Sequence, residues 1–157
     1  MVRAEDDLGQ ELWLDKLAIR EVLERFMRCD DDRAMDQMME LFDEAAVFRA
    51  GDGEHVGRAA IRAFISRSPR ADPPHWTAPG ELGRQPTTAH LCLNPLIEVD
   101  GDRATAESDF VVFMADESAR PSPAYVGRFR DRLRRTESGH WVITNRASVT
   151  LAPRATS

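Results

Sequence analysis

The stretch TAHLCLNPLIEVDGDRATAESDFVVFM, residues 88–114, decides how the 157-residue chain folds. Two β-rich arms flank an Asp100-Gly101 corner, and an Asx-Gly pair between alternating apolar runs is a strong hairpin signal. In the first arm His90, Cys92, Pro95 or Leu96, and Val99 share one face, so an imidazole sits near the start of an otherwise apolar strip. In the second arm Ala104, Ala106, Ser108, Phe110, Val112 and Met114 alternate with Thr105, Glu107, Asp109, Val111 and Phe113. The last third of that arm is apolar on both faces, which predicts a central or covered strand. A long antiparallel hairpin of this kind needs a second layer packed against it.

The preceding residues supply that layer. Residues 1–10 read as a flexible leader, after which Leu12, Leu14, Leu17, Ile19, Val22, Leu23, Phe26 and Met27 recur at three- and four-residue spacing. This predicts an amphipathic helix that ends near Cys29-Asp30-Asp31-Asp32, where three acids at the negative end of the helix dipole favour termination. A second helix, capped by Asp32 or a neighbour, would bury Met35, Met38, Met39, Leu41 and Phe42. Residues 45–49 read as a short strand and 50–53 as a turn, and a third helix follows Gly57 with Ile61, Phe64 and Ile65 inward. Residues 68–86 hold five prolines and read as a long loop. Beyond the hairpin, strands are predicted over 125–135 and 141–151, turned at Glu137-Ser138-Gly139. Helices first and a four-stranded antiparallel run after them predict one α+β domain over residues 11–152, with a flexible tail at 153–157. A sheet that curves around its helices leaves a pocket between them, and that gives His90 its context.

Composition narrows the function. A formal charge of −6, from 21 basic and 27 acidic residues, argues against a nucleic-acid or anionic-membrane surface. No apolar run approaches the roughly 20 residues needed to span a bilayer, and MVRAEDDLGQ lacks a secretory core, so a cytoplasmic protein is expected. Cys29 and Cys92 lie in apolar patterns outside any CxxC, which predicts buried free thiols in a reducing compartment. His55, His75 and His140 form no HxH or HxxxH pair, so neither a metal site nor another cofactor is expected. Arg128, Arg130, Arg132 and Arg134 alternate with Phe129, Asp131 and Leu133, as on a solvated strand face. Arg146 would pair with an acid of the helix layer or reach a substrate carboxylate.

The blocks IREVLERFMRCDDDRAMDQMMELFDEAAVF, GRAAIRAFI, TTAHLCLNPLIEVDGDRATAESDFVVF and VGRFRDRLRRTESGHWVI, in that order, resemble the SnoaL-like branch of the nuclear-transport-factor-2-like superfamily over roughly residues 12–151. The resemblance implies a cone-shaped α+β fold, a curved, mostly antiparallel sheet wrapped around three N-terminal helices with an internal pocket. That fold hosts dehydratases, isomerases, polyketide cyclases, epoxide hydrolases, dioxygenase β subunits and non-catalytic proteins. Family members such as scytalone dehydratase and bile-acid dehydratases set an Asp just past the first helix against a His at the start of the long hairpin. Carried onto this chain, the pair is Asp31 and His90. Where the family's enzymes often have a Tyr on the first helix, this chain has Phe26, and Tyr125 is the nearest substitute hydroxyl.

An imidazole oriented by a carboxylate moves protons near neutral pH, so the expected chemistry is dehydration, double-bond isomerisation or cyclisation of an apolar carbonyl compound of polyketide, steroid or aromatic type. In that scheme His90 is the base, Asp31 its orienter, and Tyr125 or Asn94 a donor to a developing oxyanion. Phe26, Phe48, Phe64, Phe110, Val112 and Trp141 would wall the ligand, with Arg146 at its polar end. Asp30 or Asp32 would face the pocket instead if the helix ended one residue differently. The competing readings are a core histidine satisfied by a backbone carbonyl, a ligand-binding protein without turnover, and a non-catalytic oligomerisation subunit. In each, a homodimer through the outer sheet face at Val111 and Phe113 is expected.

Overall fold

In a computed structural model, which describes residues 2–51, 53–67, 88–115 and 120–151, the chain runs α1 (Val2–Asp32), α2 (Met35–Glu40), β1 (Phe42–Ala50), β2 (Gly53–Val56), α3 (Gly57–Ser66), β3 (Thr88–Asp100), β4 (Arg103–Ala115), β5 (Pro121–Arg135) and β6 (Trp141–Thr150). The strands make one curved, unclosed sheet in the order β2-β1-β6-β5-β4-β3, antiparallel except where β1 lies parallel to β6, with the helices packed against it. The predicted loop at 68–86, with His75, and the tail at 153–157 lie outside the described residues. Among the described residues no helix is long and apolar enough to cross a membrane.

The hairpin turns at Gly101, whose φ of 55° suits a residue without a Cβ. On β4 Ala104, Ala106, Ser108, Phe110 and Val112 are all buried, as the alternation predicts. On β3 the inward set is His90, Cys92, Pro95, Ile97 and Val99, and Leu96 is 71% exposed. The pairing register shifts between Leu93 and Leu96, where Asn94 takes a φ of 51°. That bulge resets the inward phase and selects Pro95 over Leu96.

Ile19, Val22, Leu23, Phe26 and Met27 form the buried stripe of α1. The helix begins at Val2, well ahead of the pattern's start at Leu12, and no proline precedes residue 69 to interrupt it. Its other end is a left-handed cap. Arg33 has a φ of 56°, the Ala34 N–H donates to the Cys29 carbonyl at 2.9 Å, and the Arg33 N–H donates to the Asp30 carbonyl at 3.3 Å. This fixes Asp30 and Asp31 in the last turn. The N-cap of α2 is Ala34 and no side chain caps it, so Asp32 does not perform that role. Phe42 opens β1 rather than closing α2, and residue 53, expected in a turn, starts the four-residue β2.

Two features hold the sheet's inner face together. A Cβ at Gly127 would lie 2.4 Å from Phe110 Cζ and 2.4 Å from the Val149 carbonyl oxygen, so glycine is what lets the Phe110 ring cross β5. That ring then meets Phe129 at 4.5 Å between centroids. Arg146 of β6 is register partner to Asp131 of β5, and the two form a bidentate pair with Nε–Oδ1 at 2.7 Å and Nη2–Oδ2 at 2.9 Å. Both side chains are fully buried. The acid that pairs with Arg146 thus comes from the neighbouring strand, not from the helix layer. Phe26 and Phe129 stack on the guanidinium at 4.2 and 4.4 Å.

On the outer face Arg128 donates to Asp109 at 2.7 Å and Arg130 to Glu107 at 2.8 Å, giving the solvated, charge-paired surface that the alternation predicts.

Candidate active site

The last turn of α1 meets the first residues of β3. The Asp31 carboxylate lies 2.7 Å from His90 Nδ1, accepts the His90 main-chain N–H at 3.0 and 3.2 Å, and accepts the Thr88 hydroxyl at 2.9 Å. Asp30, turned about 100° from Asp31 around the helix axis, places Oδ2 3.2 Å from His90 Nε2. The imidazole is therefore bracketed by two consecutive carboxylates. The three side chains are 15% (His90), 7% (Asp31) and 12% (Asp30) exposed, so the cluster is interior. A carboxylate only accepts, so the contact with Asp31 requires the proton to be on Nδ1. Nε2 then lies within ion-pair distance of Asp30.

His90 and Asp30 form one wall of a cavity of about 440 Å³, within the range of small-molecule sites. Phe26, Phe48, Phe64, Phe110, Val112 and Tyr125, all expected as ligand contacts or donors, line it, together with Phe129. Tyr125 is half exposed. Sequence reasoning missed the other polar lining groups, Arg67, Ser148 and Thr150. The last two share the inward alternation of Arg146 along β6, a signal that would have found them.

Three expected contacts do not line this cavity. Asn94 sits at the exposed bulge of β3 with its amide 3.5 Å from Asp109 Oδ2. Trp141 is buried elsewhere, its indole N–H donating to Asp15 of α1 at 3.2 Å and Arg135 lying 4.7 Å over its ring. The hydrogen bond from Arg135 is the main reason that the Asp15 carboxyl is held below its ordinary value. Arg146 lies behind Phe26 and Phe129, engaged by Asp131. His55 stacks on Phe64 at 4.1 Å, behind another lining ring. Cys29 and Cys92 are free thiols, and burial pushes both up from their ordinary value, which disfavours the nucleophilic thiolate.

A larger cleft of about 690 Å³ around Glu98, Arg103, Arg132 and Arg134 contains no imidazole.

The SnoaL-like domain family matches residues 11–147. No curated protein matches the chain. Among solved structures, an Asp-to-Asn variant of Rv3472, a protein of unknown function from Mycobacterium tuberculosis, is 24% identical, with a TM-score of 0.75 over 94% of this chain and 78% of that one. An NTF2-like protein with a cystatin-like fold from Novosphingobium aromaticivorans is 26% identical, with a TM-score of 0.73 over 94% and 89%. A provisionally assigned scytalone dehydratase from the same organism is 18% identical, with a TM-score of 0.70 over 92% and 89%.

Proposed function

The chain belongs to the SnoaL-like domain family, and on that premise we propose that it is a cofactor-independent lyase or isomerase of the cytoplasm, acting on a flat, apolar carbonyl compound held in the His90 cavity. The observation that carries this reading is the 2.7 Å contact between Asp31 and His90 Nδ1 at the wall of an aromatic cavity. A histidine that served only packing would satisfy its ring nitrogens on backbone carbonyls and would not need a second acid. Here an imidazole with a fixed tautomer faces a space large enough for a two- or three-ring substrate. The His90 site moves a proton from the carbon next to a carbonyl, and the electron pair released expels the hydroxyl as water, moves a double bond or closes a ring. Tyr125, in the same register row as His90 two strands along the sheet, supplies a hydroxyl for the carbonyl oxygen. The provisionally assigned scytalone dehydratase shares this fold.

The test uses 3-hydroxy-1-tetralone, a two-ring β-hydroxy ketone whose dehydration gives fluorescent 1-naphthol. The parent protein is expected to turn it over, and His90→Gln to lower kcat/KM by about 10²- to 10⁴-fold. Equal rates in the two proteins would remove His90 from the mechanism.

A second element concerns assembly. Leu91, Val111 and Val126 are register neighbours across β3, β4 and β5, and Leu91 and Val126 are exposed on the outer face. We propose that two copies bury this row against each other. Light scattering is expected to give twice the 17.7 kDa chain mass, and Leu91→Lys with Val126→Glu to return a monomer. A parent that is monomeric at high concentration would eliminate this contact.

A further inference from the structure

Asp31 is fully occupied in place. Its two oxygens serve the Thr88 hydroxyl, the His90 main-chain N–H and Nδ1, and it is not among the residues lining the cavity. Asp30 is different, because it lines the cavity and also lies 3.2 Å from Nε2. Two acceptors repel at this distance, whereas a protonated Nε2 makes an ion pair with the Asp30 carboxylate at 3.2 Å. The Asp30–His90 contact therefore stores one transferable proton on the cavity wall.

We propose that Asp30 is the second catalytic residue, its carboxylate taking the proton from carbon while His90 Nε2–H delivers its own to the departing oxygen. The assignment rests on the function proposed above and divides the labour within it. The C–H bond breaks towards Asp30 and its electron pair becomes the new C=C bond. The C–O bond breaks with its pair going to oxygen, which takes the Nε2 proton and leaves as water. Asp30 is left protonated beside a neutral Nε2, and transfer across their contact restores the starting state. The protein gains and loses no net proton, as a cofactor-independent elimination requires. Asp31 is a positioning residue throughout.

The bracket also narrows the substrate. Acid and base stand side by side on one wall, so the hydrogen and the hydroxyl must leave from the same face of adjacent carbons. A β-hydroxy ketone on a flat ring system, laid against Phe26, Phe48 and Phe64, meets that requirement.

Asp30→Asn and Asp30→Ala would be compared with the parent in dehydration of 3-hydroxy-1-tetralone, alongside the His90 ring ¹⁵N resonances recorded without substrate. Each variant is expected to lower kcat by at least about a hundredfold, and sodium formate to restore part of the activity of Asp30→Ala, a rescue that a purely structural role would not produce. In Asp30→Asn the Nε2 resonance should move while Nδ1, held by Asp31, stays in place. A kcat within about threefold of the parent overturns the assignment. If the parent forms no 1-naphthol, the proposed dehydration fails for this substrate class, and the resonances decide the role of Asp30. A displaced Nε2 signal supports the shared proton, and an unmoved one overturns it.

Discussion

Asp131→Ala is expected to lower the unfolding free energy by about 3–5 kcal/mol, measured as a shift in the urea midpoint. The side chain is fully buried, and both its oxygens accept from Arg146. Removing it strands a guanidinium between Phe26 and Phe129, where ring faces attract the cation but supply no hydrogen-bond acceptor. Arg146 Nη1 already has no hydrogen-bond partner among the described residues, so little reserve exists to absorb the loss. The physical origin of the cost is an unpaired buried charge, not the worth of the pair itself. Replacing both residues by apolar groups, as in Asp131→Leu with Arg146→Met, is accordingly expected to recover most of the stability. If Asp131→Ala cost less than about 1 kcal/mol, water would have to reach the guanidinium and the core described here would be too closed.

Asp31→Asn is expected to lower kcat by about 10³- to 10⁴-fold with little change in KM. The carboxylate forces the proton onto Nδ1 because it has nothing to donate. An asparagine keeps one oxygen for the Thr88 hydroxyl or the His90 N–H and turns its NH₂ towards Nδ1. That reverses the tautomer, placing a fixed N–H at Nε2 and removing the group's freedom to cycle a proton with Asp30. Because Asp31 does not line the cavity, ligand affinity should be nearly untouched. Ring ¹⁵N spectra of His90 would record the reversal directly, and a kcat within about threefold of the parent would show that tautomer control is not the function of Asp31.

Much of this arrangement was legible in the chain. The alternation of Ala104 through Val112 identified the inner face of β4, and the three- and four-residue spacing of Ile19 through Met27 identified the buried stripe of α1. The features that escaped depend on local backbone choices or on register. Asn94 enters the left-handed region and shifts β3 by one residue, which periodicity alone could not choose between Pro95 and Leu96. The cap at Arg33 uses a left-handed residue that is not glycine, so the point at which Asp30 and Asp31 leave the helix had no marker. Arg146 needed the β5–β6 register before its partner could be named, since Asp131 is fifteen residues away and on another strand. Trp141 looked like a cavity wall until Asp15, far away in sequence, claimed its indole N–H. β2, at four residues, is too short to show a period.

The hydrogen bond from the His90 main chain to Asp31 bears on solubility as well as chemistry. β3 is the last strand of the sheet, and an outermost strand offers its unused amides to any extended segment that approaches. The carboxylate that fixes the imidazole also occupies one of those amides and seats the helix terminus over the strand's beginning. The exposed margin is thereby shortened at its N-terminal end, and the residue that prepares the site for proton transfer also guards against intermolecular strand addition.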